Sequence, residues 1–137
     1  MGCKWVVGAT TMTPETPEDL TADDLEEVFS DEYELYTDKA EIVLTVGHTT
    51  EESASITHLW VDPDHRGEGW GSACIQAAEE LIRQKTDGEG TVGLIISVQN
   101  PGGTDEFLQK QGFRDVRNVE RAQFDNPVSE GYKPVSA

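Results

Sequence analysis

Cysteine and long apolar runs are both scarce in this chain of 137 residues. The 2 cysteines, Cys3 and Cys74, lie far apart in the sequence, so we expect neither a disulfide framework nor a cysteine-based metal site. No apolar run approaches the roughly 18 residues that cross a bilayer, and the opening MGCKWVVGATTM lacks the extended apolar core of a secretory signal. The composition therefore predicts a cytoplasmic protein with no metal and no membrane partner.

Positive charge is scarce as well: 10 Lys and Arg stand against 27 Asp and Glu, which gives a net charge of −17. Ten of the acidic residues fall between Glu15 and Glu34, with no Lys or Arg among them. We interpret this surface as an adaptation to concentrated salt, typical of a halophilic protein; the alternative is an acidic funnel for cationic substrates. Both interpretations argue against nucleic acid as a partner, because its phosphates would be repelled.

The length is that of one domain, so residues 1–137 are assigned to a single unit. Apolar and β-branched patterns predict strands at residues 4–12, 33–37, 41–48, 53–61 and 91–98, of which 33–37 lies in a segment, 31–40, whose pattern is ambiguous. The third and fourth of these form an antiparallel hairpin, and the last is apolar enough for a strand buried on both faces. Weaker strand signals follow at 113–119 and 121–125, and the tail 126–137 is expected to be partly loose.

Helical periodicity occurs in three segments. It predicts a short acidic helix over about 21–30 behind Thr21 as cap, and a clearly amphipathic helix that includes 74–84. A third, short helix over 104–111 has Thr104 as its cap and Gly112 just past its end. A buried strand reached through a helix crossover should lie parallel to the strand before the helix. The order of elements is that of an α+β domain.

Glycine occupies three alternating positions, 67, 69 and 71, at the predicted strand-to-helix junction. Such a run leaves successive backbone N–H groups open at a helix N-terminus, which favours an anion, and Arg66 adds a positive charge beside it. The stretch lacks the GK[S/T] of a P-loop, and a dinucleotide fingerprint that begins at Gly69 would need Gly or Ala where Cys74 stands. The pattern indicates a phosphate-binding loop of another kind; the alternative is a tight turn.

The stretch VDPDHRGEGWGS, residues 61–72, resembles the acyl-CoA-binding signature of the GNAT N-acetyltransferase superfamily. Arg66, Gly69 and Gly71 fill its core pattern, which follows a strand that ends in Val-x-Pro. A second family element is similar too: Asn100 in the loop after a strand, then a short helix that ends in KQGF, residues 110–113. The resemblance implies a mixed central sheet of about six or seven strands flanked by helices, with a splayed pair of parallel strands.

The resemblance also implies acetyl-CoA as co-substrate and a role for each matching residue. The loop amides would bind its pyrophosphate next to Arg66, the end of the preceding strand would hydrogen-bond the pantetheine arm, and Asn100 would reach the pantetheine or the ribose. The loop residues are Gly67, Glu68, Gly69, Trp70, Gly71 and Ser72, and the strand residues are Leu59, Trp60 and Val61.

Two positions depart from the family's usual catalytic residues. The common glutamate base is replaced by Ser55, and the common tyrosine acid by Leu108. An amine with a pKa of about 10.4 still needs a base, and His58 is our candidate because imidazole exchanges protons near neutral pH. Strand alternation puts His58 on the opposite face from Ser55 unless a bulge intervenes. Carboxylates remain as alternatives: Glu41, Glu51 and Glu52.

These observations predict an N-acetyltransferase that moves an acetyl group from acetyl-CoA to a primary amine by direct attack in a ternary complex. The acceptor is a small molecule, a peptide N-terminus or a lysine, and the acidic surface favours a cationic one. The sequence leaves open whether the protein forms a homodimer. The alternative is a non-catalytic acyl-CoA-binding sensor or partner module, which the residues at positions 55 and 108 would suit. A nucleotide-phosphate binder unrelated to acyl transfer is a third reading.

Overall fold

The computed structural model describes residues 13–47, 52–86, 90–100, 102–120 and 127–136. The strand predicted at 4–12 and the strand signal at 121–125 lie outside these residues.

Within the described residues, one mixed sheet of seven strands has the order β1-β2-β3-β4-β5-β7-β6. The strands are β1 (Glu26–Phe29), β2 (Glu32–Tyr36), β3 (Ala40–Thr45), β4 (Ala54–Val61), β5 (Thr91–Gln99), β6 (Arg114–Val119) and β7 (Val128–Ser136). The helices are α1 (Trp70–Lys85) and α2 (Thr104–Lys110), with single 3-10 turns at Pro17–Asp19, Ala22–Asp24 and Pro63–His65. The predicted α+β fold, a mixed sheet with a parallel pair flanked by helices, is confirmed.

The centre of the sheet is formed by the elements that the sequence predicted most clearly. Strands β3 and β4 pair antiparallel from Ala40 opposite Val61 to Thr45 opposite Ser55. Strands β4 and β5 are parallel neighbours, as a crossover through α1 requires. Both the hairpin and the parallel pair are therefore confirmed.

One face of this central sheet packs with α1 in the core. The strands contribute Ile42, Leu44, Ile56, Leu94 and Ile96, each 0% exposed. Each such aliphatic side chain stabilises the fold by about 1.5–3 kcal/mol relative to leaving it in water. The predicted apolar face of α1 is buried against them, through Cys74, Ala77, Ala78, Leu81 and Ile82.

The acidic helix predicted at 21–30 is wrong. Thr21 does act as a cap, but only for the 3-10 turn Ala22–Asp24, after which the chain enters β1 and pairs with β2. The reason is burial: Leu25 is 6% exposed, whereas Val28 and Phe29 are 40% and 70% exposed. The near-helical spacing therefore does not mark one buried helix face.

The prediction of a partly loose tail at 126–137 is also wrong for most of these residues. Residues 128–136 form β7, which lies between β5 and β6 and pairs with both. Its apolar pattern is weak because Ser129 and Gly131 occupy buried positions. The hydroxyl of Ser129 is 0% exposed and donates to Asp105 Oδ1 at 2.6 Å, so a satisfied polar contact replaces an apolar one.

The N-cap of helix α2 lies one residue before the predicted cap Thr104, and the helix ends one residue before the predicted Gln111. Gly103, with φ of 76°, is the N-cap, and Thr104 is the first helical residue. At the other end Gly112 has φ of 94°, and its N–H bonds to the Gln109 carbonyl while that of Phe113 bonds to the Leu108 carbonyl. This pair of bonds is a Schellman motif, for which glycine is the favoured residue. Neither helix is both long and apolar enough to span a membrane, within the residues described.

Candidate active site

The parallel strands β4 and β5 pair only over residues 54–56 and 94–96. Next to this point β4 carries one extra residue: Leu44 pairs with Ile56 and Val43 with His58, so Thr57 forms a β-bulge. A bulge bends its strand and increases the local twist. Beyond Ile56 no pairing joins the described parts of the two strands, which separate and leave the facing backbone edge of β4 open.

A cleft of about 680 Å³ opens at this separation. Its walls come from the end of β4, the loop that leads into α1, the end of β5 and the start of α2. The lining residues are His58, Leu59, Trp60, Val61, Arg66, Gly67, Gly69, Trp70, Gly71, Ser72, Val98, Gln99, Gly102, Gly103, Thr104 and Phe107. The fold thus brings together His58 and all but two of the predicted acyl-CoA-binding residues; the two are Glu68 and Asn100.

The glycine loop places open amides at one wall of the cleft. Gly67 and Gly69 have φ of 85° and 102°, a region in which side chains are strained. Gly69 is the N-cap of α1, and the first bond of the helix runs from Ala73 N–H to the Gly69 carbonyl. The N–H groups of residues 70–72 therefore precede the first intrahelical bond and carry the positive end of the helix dipole.

Gly71 is small for a different reason. A Cβ atom built there would lie 2.8 Å from Cζ of Phe107, so the ring of α2 occupies the space above the first turn of α1. Beside it, Gln111 Nε2 donates to Ser72 Oγ at 2.6 Å. Two of the three alternating glycines thus serve the backbone conformation, and the third allows two helices to approach closely.

Arg66 and Trp70 fix the two sides of the loop. Arg66 is exposed, and its Nε donates to the Val61 carbonyl at 3.3 Å, which draws the guanidinium back over the end of β4. Trp70 is 1% exposed; its indole N–H donates to Glu68 at 3.1 Å, and Lys39 Nζ lies 5.6 Å from its ring centroid. The loop is therefore anchored on both sides before any ligand enters.

Glu68 supports the loop from outside the cleft. Its carboxylate is hydrogen-bonded to His65 Nδ1 at 3.1 Å as well as to Trp70. These two hydrogen bonds, with that of His65 the larger effect, lower the pKa of Glu68. The side chain holds the turn between β4 and α1, and only its backbone N–H remains a candidate ligand group.

Asn100 organises the loop between β5 and α2. Its Oδ1 accepts from the N–H groups of Gly102 at 2.8 Å and Thr104 at 3.3 Å. Its Nδ2 donates to Asn118 Oδ1 at 3.1 Å. The side chain is thus engaged in shaping the rim of the cleft, and its predicted contact with the pantetheine or ribose stays a prediction.

The bulge at Thr57 decides where His58 points. Because Thr45 pairs with Ser55 and Val43 with His58, both side chains lie on the sheet face opposite to that of Ile56. His58 Nε2 lies 2.9 Å from Glu41 Oε1 on β3. On strict alternation His58 would face the core; the bulge places it at the cleft instead, with a side chain that is 40% exposed.

The two positions that the resemblance assigns to a glutamate base and a tyrosine acid carry neither a carboxylate nor a phenol. Ser55 is half-buried, and Leu108 is 0% exposed in the core. No tyrosine is present among the described residues that line the cleft. Of the other candidate bases, Glu52 does not line the cleft, and Glu51 lies outside the described residues.

Cys74 is not placed for chemistry. It is 0% exposed within α1, and burial raises the pKa of its thiol to about 12. Among the residues that the structure describes, no group of three or more His, Cys, Asp or Glu is arranged to hold a metal ion.

The sequence did not single out the far wall of the cleft. Val98, Gln99, Gly102, Gly103, Thr104 and Phe107 line it. The sequence signal was the pair of adjacent glycines in the QNPGGT loop, which follows a buried strand. Both glycines, 102 and 103, have positive φ in the structure. The phenyl ring of Phe107 reaches the cleft only because α2 packs on Gly71, which no sequence pattern indicated.

Comparison with known proteins connects this chain to a family. The model of the acetyltransferase (GNAT) domain matches residues 30–115. An N-acetyltransferase of Methanocaldococcus jannaschii, described as uncharacterized, is 39% identical over 68 residues, which are 50% of this chain and 29% of the relative. The chain therefore matches less than a third of the length of that relative.

Solved structures share the fold at low sequence identity. Ard1 from Thermoplasma volcanium is 20% identical with a TM-score of 0.54, over 71% of this chain and 63% of its own. A nourseothricin acetyltransferase is 21% identical with a TM-score of 0.56, over 80% of this chain and 70% of its own. At these identities the likeness concerns the fold alone.

Proposed function

The chain belongs to the GNAT acetyltransferase family, and on that premise we propose that it transfers an acetyl group from acetyl-CoA to a primary amine by direct attack in a ternary complex. The acceptor would be a small molecule, a peptide N-terminus or a lysine. The observation that carries the proposal is the cleft, which joins the open edge of β4 to the amides at the N-terminus of α1.

The residues present suit the co-substrate. Open N–H groups at residues 70–72, the positive helix dipole and Arg66 favour a pyrophosphate at one end of the cleft. The unpaired edge of β4 offers Leu59, Trp60 and Val61 to the amides of a pantetheine arm, as an added strand would be bound. A Cβ at Gly67 would meet nothing within 4 Å, so this residue serves conformation and leaves space above the loop.

His58 would act as the general base. An N–H bond of the acceptor ammonium breaks, its proton goes to the imidazole, and the electron pair stays on nitrogen. That nitrogen attacks the thioester carbonyl, and a backbone N–H near Leu59 or Trp60 stabilises the oxyanion. The C–S bond then breaks, and the departing thiolate takes the second proton that the attacking nitrogen must lose to become the amide. A free thiol has a pKa of about 8.5, so a dedicated acid at position 108 is dispensable.

Several finer points are part of this proposal and rest on composition. The net charge of −17 favours cationic acceptors and disfavours nucleic acid. A cytoplasmic location, a salt-rich environment and the absence of a membrane partner remain predictions at this level, and the oligomeric state stays open.

A second candidate function is a non-catalytic acyl-CoA-binding sensor or partner module. The observation that favours it is the absence of a carboxylate at Ser55 and of a hydroxyl at Leu108, which is sealed in the core. Such a module would keep the glycine loop and need no proton transfer.

One experiment separates the two candidates. The protein is incubated with acetyl-CoA and a panel of polyamines, lysine peptides, N-terminal peptides and aminoglycosides, at low and at high salt, and thiol release is followed. Amine-dependent release supports the enzyme. Binding of acetyl-CoA by calorimetry without release supports the sensor, and no binding at either salt concentration contradicts both.

A further inference from the structure

We infer that Glu41 is the positioning residue of His58: its carboxylate holds the imidazole through Nε2–H, so that Nδ1 is the nitrogen that accepts the proton of the acceptor amine. The inference rests on the proposed function, because it concerns the base of that reaction. It assigns Glu41 a role through His58 and no contact with the acceptor.

The sheet register brings the two side chains together. Glu41 pairs with Trp60 and Val43 with His58, so Glu41 and His58 are diagonal neighbours on adjacent strands and on one face. The distance of 2.9 Å between His58 Nε2 and Glu41 Oε1 is that of a direct hydrogen bond. Without the extra residue Thr57, His58 would lie on the other face, and the pair could not form.

A second group restricts the imidazole from the side. The rings of Tyr36 and His58 are stacked with centroids 6.1 Å apart and an interplanar angle of 27°. Tyr36 pairs with Glu41 across β2 and β3, and the pKa of its phenol is raised by burial and then by Glu34, Glu41 and Glu32. Tyr36 therefore stays a neutral ring, and His58 is held between a carboxylate and an aromatic face.

These contacts select one tautomer. A neutral imidazole carries one N–H and one acceptor nitrogen, and an ionised carboxylate only accepts. Because Glu41 faces Nε2, the hydrogen lies on Nε2, and the lone pair of Nδ1 is left for the amine. When a proton moves from the ammonium to Nδ1, the N–H bond of the amine breaks, an Nδ1–H bond forms, and the imidazolium lies against the carboxylate that stabilises it.

The first test is spectroscopic and does not require activity. ¹⁵N chemical shifts of His58 are recorded at alkaline pH in the whole protein, in Glu41→Gln, in Glu41→Ala, and in Glu32→Gln as a matched control on the same sheet face. We expect one tautomer, protonated at Nε2, in the parent and in Glu32→Gln. Glu41→Ala should give a mixture of tautomers, whereas Glu41→Gln should keep the tautomer because its amide oxygen still accepts.

The second test is kinetic. Glu41→Ala should lower kcat roughly ten- to a hundredfold, as expected for a lost charge-assisted hydrogen bond at the reacting group, with the KM for acetyl-CoA unchanged. Glu41→Gln should fall between Glu41→Ala and the parent, because it restores orientation without charge. An unchanged tautomer in Glu41→Ala, or full activity of Glu41→Ala where His58→Ala is inactive, would overturn the inference and leave the proposed function standing. A parent protein that transfers acetyl to no amine would instead overturn the proposed function and the base role with it.

Discussion

Gln111 Nε2 donates a hydrogen bond of 2.6 Å to the hydroxyl of Ser72, which joins the end of α2 to the first turn of α1. A hydroxyl that accepts from an amide keeps its own hydrogen free to donate. Gln111 is fixed in turn, because its backbone carbonyl accepts a hydrogen bond from Lys133 Nζ at 2.7 Å. Lys133 Nζ also forms an ion pair with Glu79 at 2.6 Å. The oxygen of Ser72 is thus held in place, and its hydrogen is available to a ligand of the loop.

The first prediction concerns this arrangement. Ser72→Ala and Gln111→Ala should each weaken CoA binding by about ten- to a hundredfold, the range of one hydrogen bond to a charged group. Because Gln111 acts through Ser72, the double variant should lose little more than either single variant. Calorimetry with CoA measures the three affinities. Gln109→Ala, an exposed glutamine of the same helix, is the control, and fully additive losses would contradict the coupling.

The second prediction separates two kinds of glycine in the loop. An alanine at Gly71 would place its Cβ 2.8 Å from the tip of the Phe107 ring, which can turn away into the cleft. Stability should change by only about 1 kcal/mol, since helix propensity favours alanine, while the KM for acetyl-CoA should rise. At Gly67 nothing lies within 4 Å, but φ is 85°, so Gly67→Ala should cost about 1–2 kcal/mol of stability.

Thermal unfolding and acetyl-CoA kinetics on both variants check this distinction. Combining Gly71→Ala with Phe107→Leu should bring the raised KM for acetyl-CoA part of the way back to the parent value, because the smaller side chain removes the clash. A Gly71→Ala variant that unfolds many degrees earlier would show that the ring cannot move.

The sequence predicted the centre of this fold because strong local signals agreed there. The β-branched run of β5, the amphipathic pattern of α1 and the glycine loop between strand and helix each point to the same parallel unit. Strands β1 and β7 were predicted poorly for an opposite reason. In β7 the buried positions hold Ser129 and Gly131, and at β1 the exposed Val28 and Phe29 imitate a helical face.

The sequence predicted only the part of the site in which the backbone supplies the candidate binding groups. The loop residues carry their signal in glycine and arginine, and all of them except Glu68 line the cleft. The surroundings of His58 depend on the bulge at Thr57 and on Glu41 across the strand. A single sequence shows where a bulge would matter but not whether one occurs, so the pairing of His58 with Glu41 needed the structure.

The third prediction assigns Arg66 to the phosphate end of the cleft. Arg66→Gln should lower kcat/KM for acetyl-CoA about tenfold, the effect of one lost charge-assisted contact. It should leave kcat/KM for S-acetylpantetheine nearly unchanged, because that donor has no pyrophosphate. Steady-state kinetics with both donors make the comparison. Arg83→Gln, on the exposed surface of α1, is the control, and equal losses with the two donors would place Arg66 elsewhere in the mechanism.

The fourth prediction concerns the thiol of Cys74, which is 0% exposed. Burial raises its pKa from 9.0 to about 12, so at pH 9 only roughly one thiol in a thousand is the reactive thiolate. In a Cys3→Ser background, iodoacetamide should therefore modify the folded protein very slowly and the urea-unfolded protein quickly, as mass spectrometry would show.

The raised pKa of Cys74 also makes stability depend on pH. Its contribution to the fold is fully present below pH 9.0 and disappears as the pH rises towards about 12. Cys74→Ala should keep acetyl transfer; loss of transfer in a variant that remains folded would show that this thiol takes part in the reaction.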